Sequence, residues 1–410
     1  MSDVKRTVDA VWRIEGARIV ATLARVTGDL GFAEDLAQEA VVDALAQWPA
    51  SGVPQNPGAW LTAVAKRKAI DGWRRRARLD DRYRALANEL EQSVDGADAW
   101  QPIDDDVLRL VFTACHPVLG REAQVALTLR VVGGLTTEEI ARMFLVPVAT
   151  IQQRIVRAKK TLSAAKVPFE APDPAEWRDR LGSVLGVVYL VFTEGYAATA
   201  GDTWIRHDLA NEALRIGRVL AALVPREPEV HALVALMELQ ASRFAARVSP
   251  TGEAILLENQ DRSRWDRSQI ARGRGALARA DALGRGRANY ALQAAIAECH
   301  AVAPSVEATD WAHIVVLYEA LAQLTRNPVV DLNRAVAVSM ATGPASALLI
   351  VDRIVDDGSL RGSALLPGVR GELLARLGRT DEARSEFATA ASLTANSRQR
   401  DVLLAKIAAL

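Results

Sequence analysis

The sequence predicts an all-α protein in which two small helical domains, the second a helix-turn-helix, precede a large helical C-terminal domain. The 410 residues are rich in alanine, leucine and arginine, whose side chains lose little freedom in helices, and only 5% are aromatic. Apolar residues recur at helical spacing along most of the chain. An acidic stretch and three closely spaced prolines, at 168, 172 and 174, divide the helical pattern into three blocks.

These breaks predict four segments. They are a helical domain at 1–85, a linker at 86–104, a helix-turn-helix domain at 105–166 and a helical domain at 175–410. Near the C-terminus, the stretch from Leu373 to Ala383 resembles one tetratricopeptide unit. Gly343 precedes Gly378 by 35 residues, close to the repeat length of about 34. We expect either stacked tetratricopeptide-like repeats or an irregular helical bundle in this last domain.

The formal net charge is zero, but the basic residues are concentrated in two stretches. Nine bases and three aspartates lie between Lys66 and Arg84, and five bases without an acid lie between Arg154 and Lys166. Such stretches are typical of surfaces that contact nucleic acid. The sequence contains no run of about 18 apolar residues and no apolar leader, so we expect a cytoplasmic protein without a membrane partner.

The two cysteines predict neither a disulfide framework nor a metal site. Cys115 and Cys299 are far apart and lack neighbouring ligands at metal-binding spacing, although His116 follows Cys115 directly. We expect both cysteines to be small buried apolar residues, and we expect no cofactor.

A helix between residues 33 and 45 has one apolar stripe and one acidic face. The stripe consists of Ala33, Leu36, Ala37, Ala40, Val41, Ala44 and Leu45. The opposite face carries mostly hydrogen-bond acceptors, namely Glu34, Asp35, Gln38, Glu39 and Asp43. These side chains suit arginines of a partner helix, although a merely solvated acidic face has the same pattern.

A second helix follows the turn-rich stretch from Pro49 to Pro57. Pro57 suits a first helical turn, and Trp60, with the apolar residues after it, marks a packed start. The bases after Lys66 point in nearly all directions, which predicts that the distal half leaves the core and follows phosphates.

The third segment has the pattern of a helix-turn-helix. Thr136 and Glu139 form a capping box, and Pro147 ends a tight break before the next helix. In that helix Ile151, Ile155, Ala158 and Leu162 are predicted to face inward. The predicted outward face consists of Thr150, Gln152, Gln153, Arg154, Arg157 and Lys160. These residue types read bases and bind phosphates.

Together and in this order, the three segments resemble bacterial RNA polymerase sigma factors of the extracytoplasmic-function class. The resemblance implies that Asp35, Gln38 and Glu39 contact the clamp helices of core RNA polymerase. It assigns the melted minus-ten element to the second helix, with candidate residues Asn56, Trp60, Lys66, Arg67, Arg74 and Arg75. Many members have Asn at the position of Arg67. By the same resemblance, the loop from Trp48 to Pro57 holds a flipped base.

The helix-turn-helix resembles the reader of the minus-thirty-five promoter element, so the implied partners are core RNA polymerase and promoter DNA. Four further stretches, Asp105–Pro117, Phe192–Tyr196, Gln260–Asp266 and Leu332–Ala335, resemble the subgroup with a long tetratricopeptide-like extension. Members of that subgroup lack a membrane-bound anti-sigma partner. This implies that the extension regulates the protein, through a contact with the promoter-binding domains.

Two other functions fit parts of the sequence. A helix-turn-helix regulator with a ligand-sensing helical domain would explain the third segment but not the aromatic and basic second helix. An enzyme fused to a DNA-binding module would use Glu194 or the polar stretch Gln260–Asp266. The sequence has none of the common nucleotide-binding or hydrolase motifs, so we expect no enzymatic activity. We expect Gln260–Asp266 to be a buried, salt-bridged loop between repeats.

Overall fold

A computed structural model describes residues 3–76, 104–144, 146–173, 175–196, 205–249, 255–394 and 397–410. In these residues the only regular elements are helices, which confirms the predicted all-α class. None of the described helices is long and apolar enough to cross a membrane. The chain divides into two compact units, residues 1–188 and 189–410.

The described residues of the first unit form seven helices and part of an eighth. They are α1 (Asp3–Thr27), α2 (Leu30–Ser51), α3 (Pro57–Arg76), α4 (Asp104–Ala114), α5 (Arg121–Val131), α6 (Thr137–Phe144), α7 (Val148–Ala164) and α8 (Trp177–Tyr196), which continues into the second unit. Helices α1 to α3 pack against one another, and α5 to α7 form a second group. Both groups share one unit because α1 packs against α4 and α5, and α2 packs against α7.

The described residues of the second unit form a succession of packed helices. Its further helices are α9 (His207–Leu223), α10 (Pro228–Ala241), α11 (Arg267–Ala282), α12 (Asn289–Val302), α13 (Trp311–Thr325), α14 (Pro328–Thr342), α15 (Pro344–Asp356), α16 (Leu365–Arg376), α17 (Thr380–Leu393) and α18 (Ser397–Ala409). Most of these helices pack against the one before and the one after. The stacking is therefore dominated by near neighbours in sequence.

The two glycines that suggested a repeat lie in equivalent turns. Gly343 joins α14 to α15 with φ 104°, and Gly378 precedes α17 with φ 75°. Residues other than glycine rarely adopt such positive φ values, which explains why glycine occupies both turns. A core that includes Leu332, Val351 and Phe387 lies between the helices on either side. The tetratricopeptide assignment itself stays a prediction.

Two sequence-based boundaries are wrong. Helix α2 continues through Pro49 to Ser51, so the loop before α3 is only residues 52–56, because the main-chain N–H of Gly52 still bonds to Trp48. The chain after Trp177 is not helical throughout. Between α10 and α11 its described residues contain only short 3-10 turns, one of them stabilised by the Asp261 side chain accepting from the N–H of Ser263. The predicted linker 86–104 falls almost wholly outside the described residues.

Candidate nucleic-acid interface

Helix α2 begins at a capped turn and buries most of its predicted stripe. The Asp29 carboxylate accepts a hydrogen bond from the N–H of Phe32 at 2.9 Å, which satisfies one free donor at the start of the helix. Five stripe residues are buried, whereas Val41 is half-buried and Leu45 is exposed. The stripe prediction is therefore confirmed except at its C-terminal end.

Glu34 was predicted on the exposed acidic face, and this is wrong. Its side chain is only 5% exposed and forms ion pairs with two cations from the helix-turn-helix group. The Nε of Arg130 donates to Glu34 Oε1 at 2.7 Å, and the Nζ of Lys159 bonds the other carboxylate oxygen. Both cations are remote in sequence, so the helical pattern around Glu34 gave no sign of its burial.

The ion pairs change the acidity of Glu34. Burial by itself raises the pKa of this carboxyl, but the charges of Arg130 and Lys159 and their hydrogen bonds lower the pKa below its usual value. The carboxylate is therefore ionised and fully engaged in joining α2 to α5 and α7.

The three predicted polymerase-binding residues differ in their surroundings. Asp35 is exposed, and its Oδ1 lies 3.1 Å from the Nζ of Lys159 on α7. Gln38 is half-buried, and Glu39 is exposed and lies 3.4 Å from the Nζ of Lys68 on α3. Asp35 and Glu39 thus form one acidic edge of α2, with a lysine of a neighbouring helix beside each.

Two further ion pairs join α1 to α4 and α6, which belong to the predicted helix-turn-helix domain 105–166. On α1, the guanidinium of Arg13 donates to Glu139 of α6 at 2.7 Å, and that of Arg25 donates to the buried Asp106 of α4 at 3.0 Å. With the Glu34 cluster, they fix the helix-turn-helix group against α1 and α2. We call this set of ion pairs the inter-helix clasp.

Helix α3 starts with a side-chain cap and an aromatic pair. The Asn56 side chain accepts from the N–H of Ala59 at 3.1 Å, and Pro57 opens the helix as predicted. The rings of Trp60 and Trp48 meet edge to face with centroids 5.4 Å apart. Since Trp48 is buried within α2, it does not belong to the loop in which the sequence had placed it.

The basic residues of α3 are not equivalent. Lys66 is half-buried, and burial together with the nearby charge of Arg25 lowers its pKa. Arg67 is exposed. Arg74 and Arg75 lie in the last turns of the helix, and their side chains fall outside the described part. The predicted departure from the core after Lys66 is wrong up to Ile70, because Ala69 and Ile70 are buried.

The helix-turn-helix has the predicted local structure. The N–H of Thr136 donates to the Glu139 carboxylate at 2.8 Å, and the N–H of Glu139 donates to the Thr136 hydroxyl at 3.1 Å. The capping box is therefore confirmed. The predicted inward side chains, which are those of Ile151, Ile155, Ala158 and Leu162, are all buried.

The outward face of α7 is only partly free of protein contacts. Gln152, Gln153, Arg157 and Lys160 are exposed, whereas Thr150 and Arg154 are half-buried. Arg154 donates to Glu122 at 2.7 Å. In the described part of the chain, no carboxylate pairs with Arg157 or Lys160, so two cations and two amides line the open surface.

The remaining candidate sites have structural partners. The Sγ of Cys115 lies 3.3 Å from the Thr128 hydroxyl, and burial raises the pKa of this thiol to about 11. Cys299, expected to be buried, is half-buried. The expected salt-bridged loop at Gln260–Asp266 is wrong for Arg262, whose buried guanidinium donates to the carbonyl oxygens of His300 and Ala303 at 2.6 and 2.7 Å. Carbonyl groups take the place of the expected carboxylate.

Comparison with known proteins identifies both helix groups of the first unit. Sigma-70 region 2 matches residues 13–79, and sigma-70 region 4 matches residues 109–162. A family of unknown function, DUF6596, matches residues 180–281.

Two relatives extend the comparison. An uncharacterized protein of Rhizobium meliloti (strain 1021) is 43% identical over 394 residues, which is 93% of this chain and 90% of that protein. The probable ECF RNA polymerase sigma factor SigI of Mycobacterium tuberculosis (strain CDC 1551 / Oshkosh) is 28% identical over 174 residues, which is 42% of this chain and 59% of that protein. No solved structure matches the chain.

The matched regions coincide with the geometry. Region 2 covers the acidic edge of α2 and the aromatic start of α3, and region 4 covers the capped helix-turn-helix. Membership of this family implies binding to core RNA polymerase and promoter DNA in transcription initiation. The two matched regions support a factor of the sigma-70 family, and the chain belongs to one family with its Rhizobium meliloti relative.

Proposed function

We propose that this chain is an alternative sigma factor of the extracytoplasmic-function type, which directs core RNA polymerase to its own set of promoters. The observation that carries the proposal is the pair of sigma regions, region 2 at residues 13–79 and region 4 at residues 109–162, on two helix groups. In this reading residues 1–85 bind polymerase and the minus-ten element, and residues 105–166 bind the minus-thirty-five element.

The polymerase contact is proposed at the acidic edge of α2. Asp35 and Glu39 are exposed carboxylates one helical turn apart, and Gln38 lies beside them. Carboxylates at this spacing accept hydrogen bonds from the arginines of a facing helix.

The promoter contacts are proposed on α3 and α7. On α3 we assign Asn56, Trp60, Lys66, Arg67, Arg74 and Arg75 to the melted minus-ten strand, because an aromatic ring next to cations suits unpaired bases and their phosphates. On α7 we assign Thr150, Gln152, Gln153, Arg154, Arg157 and Lys160 to the minus-thirty-five element. The exposed glutamines suit base edges, and Arg157 and Lys160 suit phosphates.

The two helix groups must separate to reach both elements. Minus-ten and minus-thirty-five lie about 25 base pairs apart, or about 85 Å at about 3.4 Å per base pair. A compact unit of 188 residues has a radius of gyration of only about 16 Å. We therefore propose that the inter-helix clasp holds the free protein closed, and that polymerase competes with Lys159 for Asp35.

The same proposal assigns regulation to residues 175–410, through an intramolecular contact with the promoter-binding domains. The support is that this region contains more than half of the chain and no catalytic motif. Promoter transcription before and after cleavage at a protease site engineered between Pro168 and Pro174 tests it. A change on cleavage supports regulation, and identical transcription contradicts it.

The polymerase contact has a direct test. The double substitution Asp35→Arg with Glu39→Arg should abolish co-purification with core polymerase, because two attractive carboxylates become two repulsive cations. The matched control is the same charge reversal at Asp9 and Asp381, which are exposed on α1 and α17. Helical content by circular dichroism should be unchanged in both variants. Normal co-purification of the α2 variant would refute the assigned contact.

A further inference from the structure

The second unit contains a cavity of about 540 Å³ bounded by α8, α10, α12, α13 and α14. Its volume falls within the range of about 300–1,000 Å³ that is usual for small-molecule sites. One part of the wall is apolar and includes Leu239, Ile296 and Leu321. The rest is polar, and among the described residues that line it there is no aspartate or glutamate.

The charged group of this wall is Arg243. Its guanidinium donates to the phenol oxygen of Tyr196 and lies 5.8 Å from the ring centre of Trp265. Within the described part of the chain, no carboxylate lies within ion-pair distance of it. A cation that is partly removed from water and has only neutral partners attracts an anion.

The charge of Arg243 contributes to the pKa shifts of neighbouring groups. Burial, followed by the charges of Arg243 and Arg262, lowers the pKa of His300 to about 3. Burial likewise lowers the pKa of Arg247 to about 10, with Arg243 contributing. Both shifts place a positive potential beside Arg243 at the cavity wall.

The neutral polar groups of the wall are suited to a bound molecule. The Nδ1 atom of His300 is buried without a hydrogen-bond partner. The phenols of Tyr189 and Tyr318 stay protonated, because burial raises the pKa of each to about 12. Tyr189 already donates to Gln293 at 3.2 Å, so Tyr318 and the imidazole are the groups that can turn towards an occupant.

We propose that this cavity binds a small organic monocarboxylate, with the carboxylate on Arg243 and the apolar body against Leu239, Ile296 and Leu321. A single negative charge matches Arg243, the cation that lines the cavity, whereas a dianion such as phosphate would leave one of its charges without a cation on the wall. A neutral molecule would not supply a charged partner for Arg243. The site lies partly in the region matched by the family of unknown function, which covers Leu239 and Arg243.

The test uses the full-length protein and two matched pairs of probes. Octanoate and 3-phenylpropionate carry the required charge, and octanamide and 3-phenylpropionamide have the same shape without it. Calorimetric titration should show saturable binding of at least one acid with a Kd of about 1 mM or tighter, and binding of its amide about tenfold weaker.

Two variants assign the binding to this cavity. Arg243→Gln should weaken acid binding about tenfold or more, while the control Arg384→Gln, at an exposed ion pair on α17, should not change it. Ala297→Phe fills the cavity and leaves Arg243 in place, so it decides the matter if Arg243→Gln does not fold.

Three results would overturn the proposal. They are no acid binding up to about 10 mM, equal binding of acid and amide, and acid binding that survives both cavity substitutions. Tighter binding of inorganic phosphate than of either acid would also refute the assignment of the cavity to a ligand with a single negative charge. Because binding is measured without polymerase or DNA, this test is independent of the proposed promoter function.

Discussion

In the first unit the buried carboxylate of Glu34 has two cations beside it, whereas in the second unit the half-buried guanidinium of Arg243 has only uncharged partners among the described residues. Glu34 pairs with Arg130 and Lys159, and Arg243 donates to Tyr196. Both arrangements place charge away from water, which is unfavourable unless a partner compensates it. In the first unit another helix group supplies the charged partners of Glu34. In the second unit the described residues supply no charged partner for Arg243.

The difference indicates two uses of buried charge. A compensated cluster holds parts of the protein together and releases them when a competitor takes one partner, which suits the inter-helix clasp. An uncompensated cation keeps its attraction for an outside molecule, which suits the cavity around Arg243. The following substitutions test whether this contrast is real.

The largest effect is expected from removing one partner of Glu34. Arg130→Met should lower the local unfolding free energy of α2 and α5 by about 3 kcal/mol, because a buried carboxylate loses half of its compensation. The control is Arg13→Met, which breaks a pair of similar length whose arginine is 50% exposed and should cost at most about 1 kcal/mol.

Hydrogen exchange of the full-length protein, resolved by peptide, measures both costs within the first unit. Similar costs for the two variants would mean that the burial of Glu34 contributes little. This result would contradict the statement that the ion pairs of Glu34 hold the helix groups of the first unit together.

Substituting either of two adjacent lysines of α7 should change the binding of core polymerase or of promoter DNA by an intermediate amount. Lys159 pairs with Glu34 and Asp35, whereas Lys160 is exposed and has no carboxylate partner in the described residues. Lys159→Met should raise the affinity for core polymerase at least several-fold, because the closed form loses about 1 kcal/mol from the exposed Asp35 pair and, in addition, one of the two partners of the buried Glu34. Lys160→Met should leave that affinity unchanged and reduce the salt slope of promoter binding by about 0.9.

Fluorescence titrations of labelled variants with core polymerase, and of the holoenzymes with promoter DNA at several salt concentrations, measure both quantities. If the two substitutions had the same effects, pairing would not distinguish these lysines, and the clasp would not compete with polymerase.

The sequence predicted contacts between residues that are close in the chain and missed contacts between residues that are far apart in it. The capping box at Thr136 and the buried stripe of α7 depend on residues three or four positions apart, so the pattern predicted them correctly. Glu34 was misplaced because its partners lie 96 and 125 positions further along the chain. A local pattern contains no information about such partners.

The cavity could not be predicted for the same reason. Its wall combines Tyr189, Arg243, His300 and Tyr318, which share no motif and come together only when α8, α10, α12 and α13 pack. The polar stretch Gln260–Asp266 gave a hint, since Arg262 and Trp265 lie beside the cavity residues His300 and Arg243. Their role is to support the wall, because Arg262 binds main-chain carbonyl oxygens.

The smallest expected effect concerns the imidazole at the cavity. Because burial, Arg243 and Arg262 hold the folded-state pKa of His300 at about 3, the unfolded chain takes up this proton first as the pH falls below about 6.5. The stability due to neutral His300 is therefore complete above pH 6.5 and decreases towards pH 3. Between pH 7 and pH 6 the loss is about 0.7 kcal/mol.

His300→Gln should remove this loss, and the exposed His313→Gln should retain it. Thermal unfolding of the second unit at the two pH values measures the difference, and NMR of labelled histidine rings should show His300 still neutral at pH 5. A bound monocarboxylate would offset the charge of Arg243 and raise the pKa of His300, so the same ring signal also reports occupancy. A His300 ring that titrates near pH 6.5 without any ligand would show that neither burial nor the charge of Arg243 lowers its pKa, and it would contradict the contrast drawn between Glu34 and Arg243.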